Sequence, residues 1–199
     1  FRRVLFRSQI PRFVVIGDSS VGKTSLVERI CKNNWNSETV PTVSTSFFVI
    51  HGDPNDPSQD VQIWDTAGAE RYRALNSVYY HNATGGLLVF DLTSKDSFES
   101  LNSWKEEFTG LAQPGAPIIL IGNKYDIYKE SPEKVKIDEA EKWCKENGYK
   151  FILASALDGT GVNEIVEEIF NCTQQKAIQY LPTVDVSKRR QENKEIGRA

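Results

Sequence analysis

Methionine is missing altogether from this chain, and cysteine occurs only at Cys31, Cys144 and Cys172. Widely separated, odd in number and without metal-ligand spacing, the cysteines describe neither a disulfide framework nor a zinc site. They read as inert packing thiols of a reducing compartment. No stretch approaches the roughly 18 to 20 apolar residues of a membrane span. Nor does the opening octet Phe1 to Ser8 resemble a secretory signal: it carries three arginines but no extended apolar region. Without a methionine, Phe1 does not read as a native start, and residues 1–10 are taken as a tag, scar or disordered leader, with a functional basic arm as the alternative. A basic excess is lacking too. The formal charge of −3 speaks against a generic nucleic-acid binder, which would present a stripe of cations to phosphates. With 39% hydrophobic and 26% charged residues in a chain of 199, one soluble globular domain is expected.

What is present centres on Gly17-Asp18-Ser19-Ser20-Val21-Gly22-Lys23-Thr24, which fits the phosphate-binding pattern GxxxxGK[S/T]. The apolar run Phe13 to Ile16 precedes it as a strand, and Ser25 to Ile30 follows with one apolar helical face. Strand, turn and helix start aim backbone N–H groups, here those from Ser20 to Ser25, and the positive end of a helix dipole at one point. Lys23 adds a mobile charge, worth on the order of 4 kcal/mol against a phosphate oxygen about 4 Å away at an effective dielectric near 20. The Thr24 hydroxyl is a hard donor suited to Mg²⁺.

Further along, Asn33 to Ser46 is a polar, irregular segment containing Trp35, Pro41 and Thr42. Trp35 is either a core anchor or a platform for a base. The runs Phe47 to His51 and Val61 to Asp65, joined by the turn-rich Gly52 to Ser58, predict an antiparallel hairpin. That hairpin delivers Asp65 to a strand end, and Gly68 follows in a polar turn where its N–H can approach a phosphate. Gly86 to Asp91, Pro117 to Gly122 and Phe151 to Ala154 read as buried strands. Asp96 and Glu99 suggest a capping box for a helix presenting Phe98, Leu101, Phe108 and Leu111. Further helices are predicted through Ile137, Ala140 and Cys144, closing at Asn147-Gly148, and through Val162, Ile165, Val166, Ile169 and Phe170. The alternation predicts an α/β fold with helices on both faces of a mostly parallel sheet, ligands binding at the carboxyl ends of its strands. From about Leu181 the chain turns polar and charged, so residues 11–180 are taken as the globular domain and 181–199 as a mobile tail.

Asn123-Lys124-Tyr125-Asp126 follows the Pro117 strand. A carboxylate at Asp126 can accept both N–H groups on one edge of guanine, whereas adenine would oppose it with a lone pair. Such hydrogen bonding discriminates by about 10⁴-fold or more, which disfavours a P-loop ATPase or small-molecule kinase.

Five elements in order, GDSSVGKT from Gly17, Thr42, WDTAG from Trp64, NKYD from Asn123 and Ser155-Ala156, make the chain resemble a Ras-superfamily small GTPase from about Phe13 to Tyr180. Phe47, Val61 to Trp64, Glu70 to Arg73, Tyr79-Tyr80 and Leu88 to Thr93 make it most similar to the Rab family within it. The resemblance implies a P-loop NTPase fold with a mostly parallel six-stranded sheet and one antiparallel edge hairpin. It implies that Ser20, Val21, Gly22, Lys23, Thr24 and Ser25 hold the phosphates of GTP or GDP, with Gly68 at the γ-phosphate. Thr24 and Thr42 would ligate Mg²⁺, with Asp65 holding it through water. Trp35, where relatives usually carry phenylalanine, would flank guanine, which Asn123, Lys124 and Asp126 would hold, with Ser155, Ala156 and Leu157 closing its pocket. Phe47, Trp64 and Tyr79 would form an aromatic triad facing effectors, with plain core packing as the alternative for part of it.

Departures from the family pattern matter. Ala69 stands where the family usually has the glutamine that orients the attacking water, so hydrolysis supported by Lys23, Thr42, Gly68 and Ala69 is expected to be slow. A GAP would then bring the water-orienting residue as well as an arginine finger. Ser44 replaces a glycine, His81-Asn82 an arginine and a glycine, and Leu157 a lysine. The final residues contain no prenylatable cysteine. The expectation is a monomeric GTP/GDP switch of vesicle trafficking, cytoplasmic and peripheral on endomembranes if the native chain is prenylated. It would meet effectors, an exchange factor and a GAP, and no nucleic acid. The alternative is a GTP-locked, hydrolysis-deficient effector-binding module, Ala69 being natural or engineered.

Overall fold

The structure, a computed structural model, describes residues 10–35, 42, 45–53, 56–68 and 73–179. Six strands, β1 (Arg12–Ile16), β2 (Ser46–Ile50), β3 (Val61–Asp65), β4 (Gly85–Asp91), β5 (Ile118–Asn123) and β6 (Lys150–Leu153), form one sheet in the order β2-β3-β1-β4-β5-β6. Only β2 and β3 run antiparallel; the other pairs are parallel. The expected fold class is therefore observed, edge hairpin included.

Side-chain alternation divides the core between the two faces. Phe13 and Val15 of β1 point to one side with Leu26, Leu87, Ile119, Ile165 and Ile169. Val14 and Ile16 point to the other with Leu88, Phe90, Leu101, Phe108 and Cys144. Helices α1 (Lys23–Lys32) and α7 (Val162–Gln179) cover the first face, and α2 (Arg73–Tyr80), α4 (Leu101–Leu111) and α6 (Ile137–Asn147) the second. Because both faces are covered, β4 is buried at all seven positions, which is why it reads as an unbroken apolar run. Each fully buried aliphatic or aromatic side chain contributes roughly 1.5–3 kcal/mol.

The helix after β4 differs from the capping box expected at Asp96. Ser94 is the N-cap of the short α3 (Lys95–Glu99), its hydroxyl accepting from the Ser97 amide at 3.4 Å. Ser97 Oγ in turn donates to the Ser94 carbonyl at 2.9 Å, so the start is anchored two residues earlier. The chain then re-initiates at Ser100 as α4. The short α5 (Tyr125–Tyr128) and α2 had no sequence prediction. Strand bounds agree with the prediction to about one residue. Helix α6 ends as expected at Gly148, in the left-handed region and donating to the Cys144 carbonyl. Cys31 and Cys172 lie on α1 and α7, and all three cysteines are free thiols.

Candidate functional site

Strands β1, β3, β4 and β5 end at the same edge of the sheet, and the residues singled out in the sequence gather there. Between β1 and α1, Ser20 and Gly22 adopt left-handed backbone (φ 65° and 89°) around Val21, an alternation that turns successive N–H groups to one side. Gly17, at φ 139°, lies so close to β4 that a Cβ there would collide with the Val89 carbonyl. Gly22 is the N-cap of α1, with no side-chain cap over it. The first amides of α1 are thus left without side-chain acceptors at its positive end.

Lys23 lies in this turn, only 5% exposed. Its ammonium donates to the carbonyls of Gly17 at 2.9 Å and Asp18 at 2.6 Å. Burial pushes its pKa down to about 8, opposed by the carboxylates of Asp65 and Asp18. A polyphosphate would return the full charge to this group. Trp104 of α4 fixes the Asp18 side chain, its indole N–H donating to Oδ1 at 2.7 Å.

Beside Lys23, Thr24 Oγ1 donates to Asp65 Oδ2 at 2.7 Å, and the Thr24 and Thr42 hydroxyls are 2.6 Å apart. With its hydroxyl hydrogen directed at Asp65, Thr24 accepts from Thr42. Asp65 is buried, its other oxygen, Oδ1, has no hydrogen-bond partner, and burial raises its pKa against the pull of Thr24 and Lys23. An orphaned carboxylate oxygen beside two hydroxyls fits a hard divalent cation such as Mg²⁺, which takes few protein ligands. Among the described residues no cluster of three His, Cys, Asp or Glu side chains could hold a metal, so a site made mostly of protein carboxylates or nitrogens is not found. Gly68 closes this end: a Cβ there would run into Lys23 Nζ and come within 2.5 Å of the Asp18 carbonyl oxygen.

A second group of residues faces the same edge from β5 and the loop after β6. Asn123 is buried, its amide donating to the Val21 carbonyl at 2.9 Å and its oxygen accepting from the Ala156 amide at 3.3 Å. Ser155, fully buried, donates to Asp126 Oδ1 at 2.7 Å. Lys124, at φ 65°, pairs with Asp91 at 2.6 Å. Leu157 is 43% exposed and Trp35 is 39% exposed. Of these, Asp126, held by Ser155, offers a carboxylate to a planar ring with an edge of N–H donors.

Phe47, Trp64 and Tyr79 form a contiguous aromatic row on the hairpin and α2, with centroids 5.7 and 5.5 Å apart. Phe47 is 60% exposed, so the row has a solvent face rather than being core alone. Arg12 lies over Trp64 at 5.1 Å.

Ala69 lies outside the described residues, as do residues 1–9 and 180–199, on which the leader and tail expectations fall. Three participants, Asp91, Arg29 and Trp104, were not singled out in the sequence. Asp91, the partner of Lys124, could have been suspected as a carboxylate ending β4 directly beside Asn123 in register. Arg29, whose guanidinium reaches the Ala156 and Leu157 carbonyls, leaves no local signal because its partners are far along the chain. A groove of about 440 Å³ at the opposite edge, lined by Ile118, Tyr149, Lys150 and Cys172 among others, contains none of these groups.

Comparison with known proteins agrees with the geometry. The family model described as Ras family matches residues 12–175. The chain is similar to GTP-binding protein ypt3 of Schizosaccharomyces pombe, with 36% identity over 170 residues, covering 83% of this chain and 78% of that protein. The chain belongs to the Ras family, as a Rab-like small GTPase.

Proposed function

We propose that this chain is a GTP/GDP switch of intracellular vesicle trafficking that hydrolyses GTP slowly and depends on a GAP. The observation that carries the nucleotide part is the convergence, at one sheet edge, of a buried lysine, a hydroxyl–carboxylate cluster and the Asn123 to Asp126 turn. In this reading the amides from Ser20 to Ser25 and Lys23 bind the phosphates, and Gly68 approaches the γ-phosphate. Thr24 and Thr42 would ligate Mg²⁺, with Asp65 holding it through water. When bound, the cation would neutralise negative charge on the nucleotide's phosphates. Asp126, oriented by Ser155, receives the guanine edge, while Asn123 ties that end to the phosphate loop. Trp35, Lys124, Ala156 and Leu157 border the base.

Phosphoryl transfer of this kind needs positioning, neutralised charge and an aligned water. Lys23 and the loop amides supply the first two. Ala69 has no polar atom with which to align water, which supports a slow intrinsic step and a GAP that brings the missing group. Ordering of Thr42 and Gly68 by the γ-phosphate would couple nucleotide state to the neighbouring surface. Phe47, Trp64 and Tyr79 would present that state to effectors. The protein would act in the cytoplasm and at endomembranes, through a lipid if the native chain carries one; none of the described helices is long and apolar enough to cross a membrane.

A second reading, a GTP-locked module that recruits effectors without turnover, is favoured by the same Ala69 together with the exposed aromatic row. The test is to denature purified protein, identify the released nucleotide, and follow single-turnover loss of GTP in the parent and in Ala69→Gln. Guanine nucleotide in the parent and faster loss in the Gln variant are expected. A parent that hydrolyses as fast as Ala69→Gln overturns the slow-clock reading, and no detectable loss over many hours favours the locked module.

A further inference from the structure

Arg29 projects from the last turns of α1 to a loop more than a hundred residues away. Its Nε donates to the Ala156 carbonyl at 2.8 Å and a terminal nitrogen donates to the Leu157 carbonyl at 2.5 Å. The other terminal nitrogen donates to the Asn33 carbonyl at 3.4 Å, at the C-cap of α1. A planar guanidinium suits this task because its donors form a fixed fork, and a cation near a helix C-terminus is favourable.

Followed around the site, these contacts close a ring. The phosphate loop runs into α1, and α1 reaches through Arg29 to the Ala156 carbonyl. The Ala156 amide donates to Asn123 Oδ1 at 3.3 Å, and Asn123 Nδ2 donates to the Val21 carbonyl at 2.9 Å, back in the phosphate loop. Ser155, the neighbour of Ala156, holds the Asp126 carboxylate at 2.7 Å. Leu157 cannot anchor the loop by burial because its side chain is exposed. Within the loop the Gly159 amide donates to the Ser155 carbonyl at 2.9 Å and the Asp158 amide to Ser155 Oγ at 3.2 Å, but it is Arg29 that ties the Ala156 and Leu157 carbonyls to α1.

We infer that Arg29 is a positioning residue for base selection: it clamps the Ser155 to Leu157 loop to α1, so that Ser155 keeps Asp126 aimed at the base edge. This rests on the reading of Asn123 to Asp126 and the Ser155 loop as the base end. Without the clamp the loop gains freedom, and Asp126 loses the fixed orientation needed to accept two N–H groups at once. Discrimination at that edge falls more than phosphate binding does.

The experiment measures dissociation constants for GDP and for inosine diphosphate, which lacks the exocyclic amine, on the full chain with Mg²⁺. The parent is expected to prefer GDP. Arg29→Gln is expected to narrow that preference about tenfold, the usual scale for hydrogen bonds made by a charged group. Arg29→Lys, with one ammonium for two carbonyls, falls between them and carries the comparison if the Gln variant does not fold. Ile169→Val, a core change on α7, is expected to lower thermal stability while leaving the ratio as in the parent. If both Arg29 variants keep the parent's ratio, the residue is only structural and the inference is overturned. A parent without preference for GDP over inosine diphosphate overturns the base-end reading itself, and the inference with it.

Discussion

Thr24 donates a hydrogen bond from its hydroxyl to Asp65 Oδ2 at 2.7 Å, which occupies one carboxylate oxygen while the other stays buried and unpartnered. A buried orphan acceptor costs about 1–3 kcal/mol, more when charged, so the arrangement gains most when a cation completes it. Chelation of Mg²⁺ is therefore expected to speed GDP release from the parent on the order of tenfold or more, and Asp65→Asn to blunt that effect. Stopped-flow release of a fluorescent GDP with and without EDTA checks this. An equal response to EDTA in both proteins would remove Asp65 from the cation site.

Gly68 has its own test. A methyl group there meets Lys23 Nζ, whose tip can shift, and the Asp18 carbonyl, which cannot yield without moving the phosphate turn. Gly68→Ala is expected to lower single-turnover GTP hydrolysis or GTP affinity on the order of a hundredfold, the scale of a 1 Å misplacement. Thermal stability of the GDP form should change far less. Unchanged affinity and hydrolysis would show that Gly68 stands clear of the reacting phosphate.

Burial pushes the Cys144 thiol up to about 12 and Cys31 up to about 11. For Cys144 the folded value exceeds the unfolded one near 9, so its contribution to stability is complete below pH 9 and is lost as pH rises toward 12. Urea unfolding of the parent and Cys144→Ala at pH 8 and pH 10.5 should show the parent's advantage shrinking at the higher pH. The folded protein should also resist iodoacetamide at Cys31 and Cys144 at pH 8, because the thiolate is the reactive form. Rapid labelling of both, read by mass spectrometry, would contradict their inert packing.

The two aromatic groups of the second face should separate cleanly. Phe108 is fully buried in the core between β4 and α4, whereas Phe47 is mostly exposed on the hairpin. Phe108→Ala should cost about 3–5 kcal/mol in denaturant unfolding, and Phe47→Ala no more than about 1 kcal/mol. A large loss at Phe47 would mean that the aromatic row is structural.

Legibility in the sequence followed the range of the interaction. The phosphate turn was readable because its demands are local: a strand, glycines where a side chain would collide, and a helix start, all between Phe13 and Ile30. The sheet was readable from the unbroken apolar run of β4 and the turn-rich link before Val61. The start of α3 was misplaced because Ser94, Asp96 and Glu99 all suit a helix beginning, and only the packing of Ser97 against Ser94 and Asp91 chooses between them. Helix α2 spans only eight residues, too few for its apolar pattern to stand out from the polar turn before it. Contacts such as Lys124 with Asp91, Trp104 with Asp18 and Arg29 with Ala156 join segments that become neighbours only once the sheet is ordered.

The place of β1 between β3 and β4 also bears on how the chain reaches this state during synthesis. Its first strand is made early but finds its two neighbours only after residues 61–65 and 85–91 have emerged, and Asn123 joins the turn later still. Parallel pairing over such separations is slow, since loop closure comes before any gain from contact. The phosphate turn therefore cannot be complete until Asn123 has joined it, and recovery of nucleotide binding on refolding should follow, not precede, the pairing of β1 with β3 and β4.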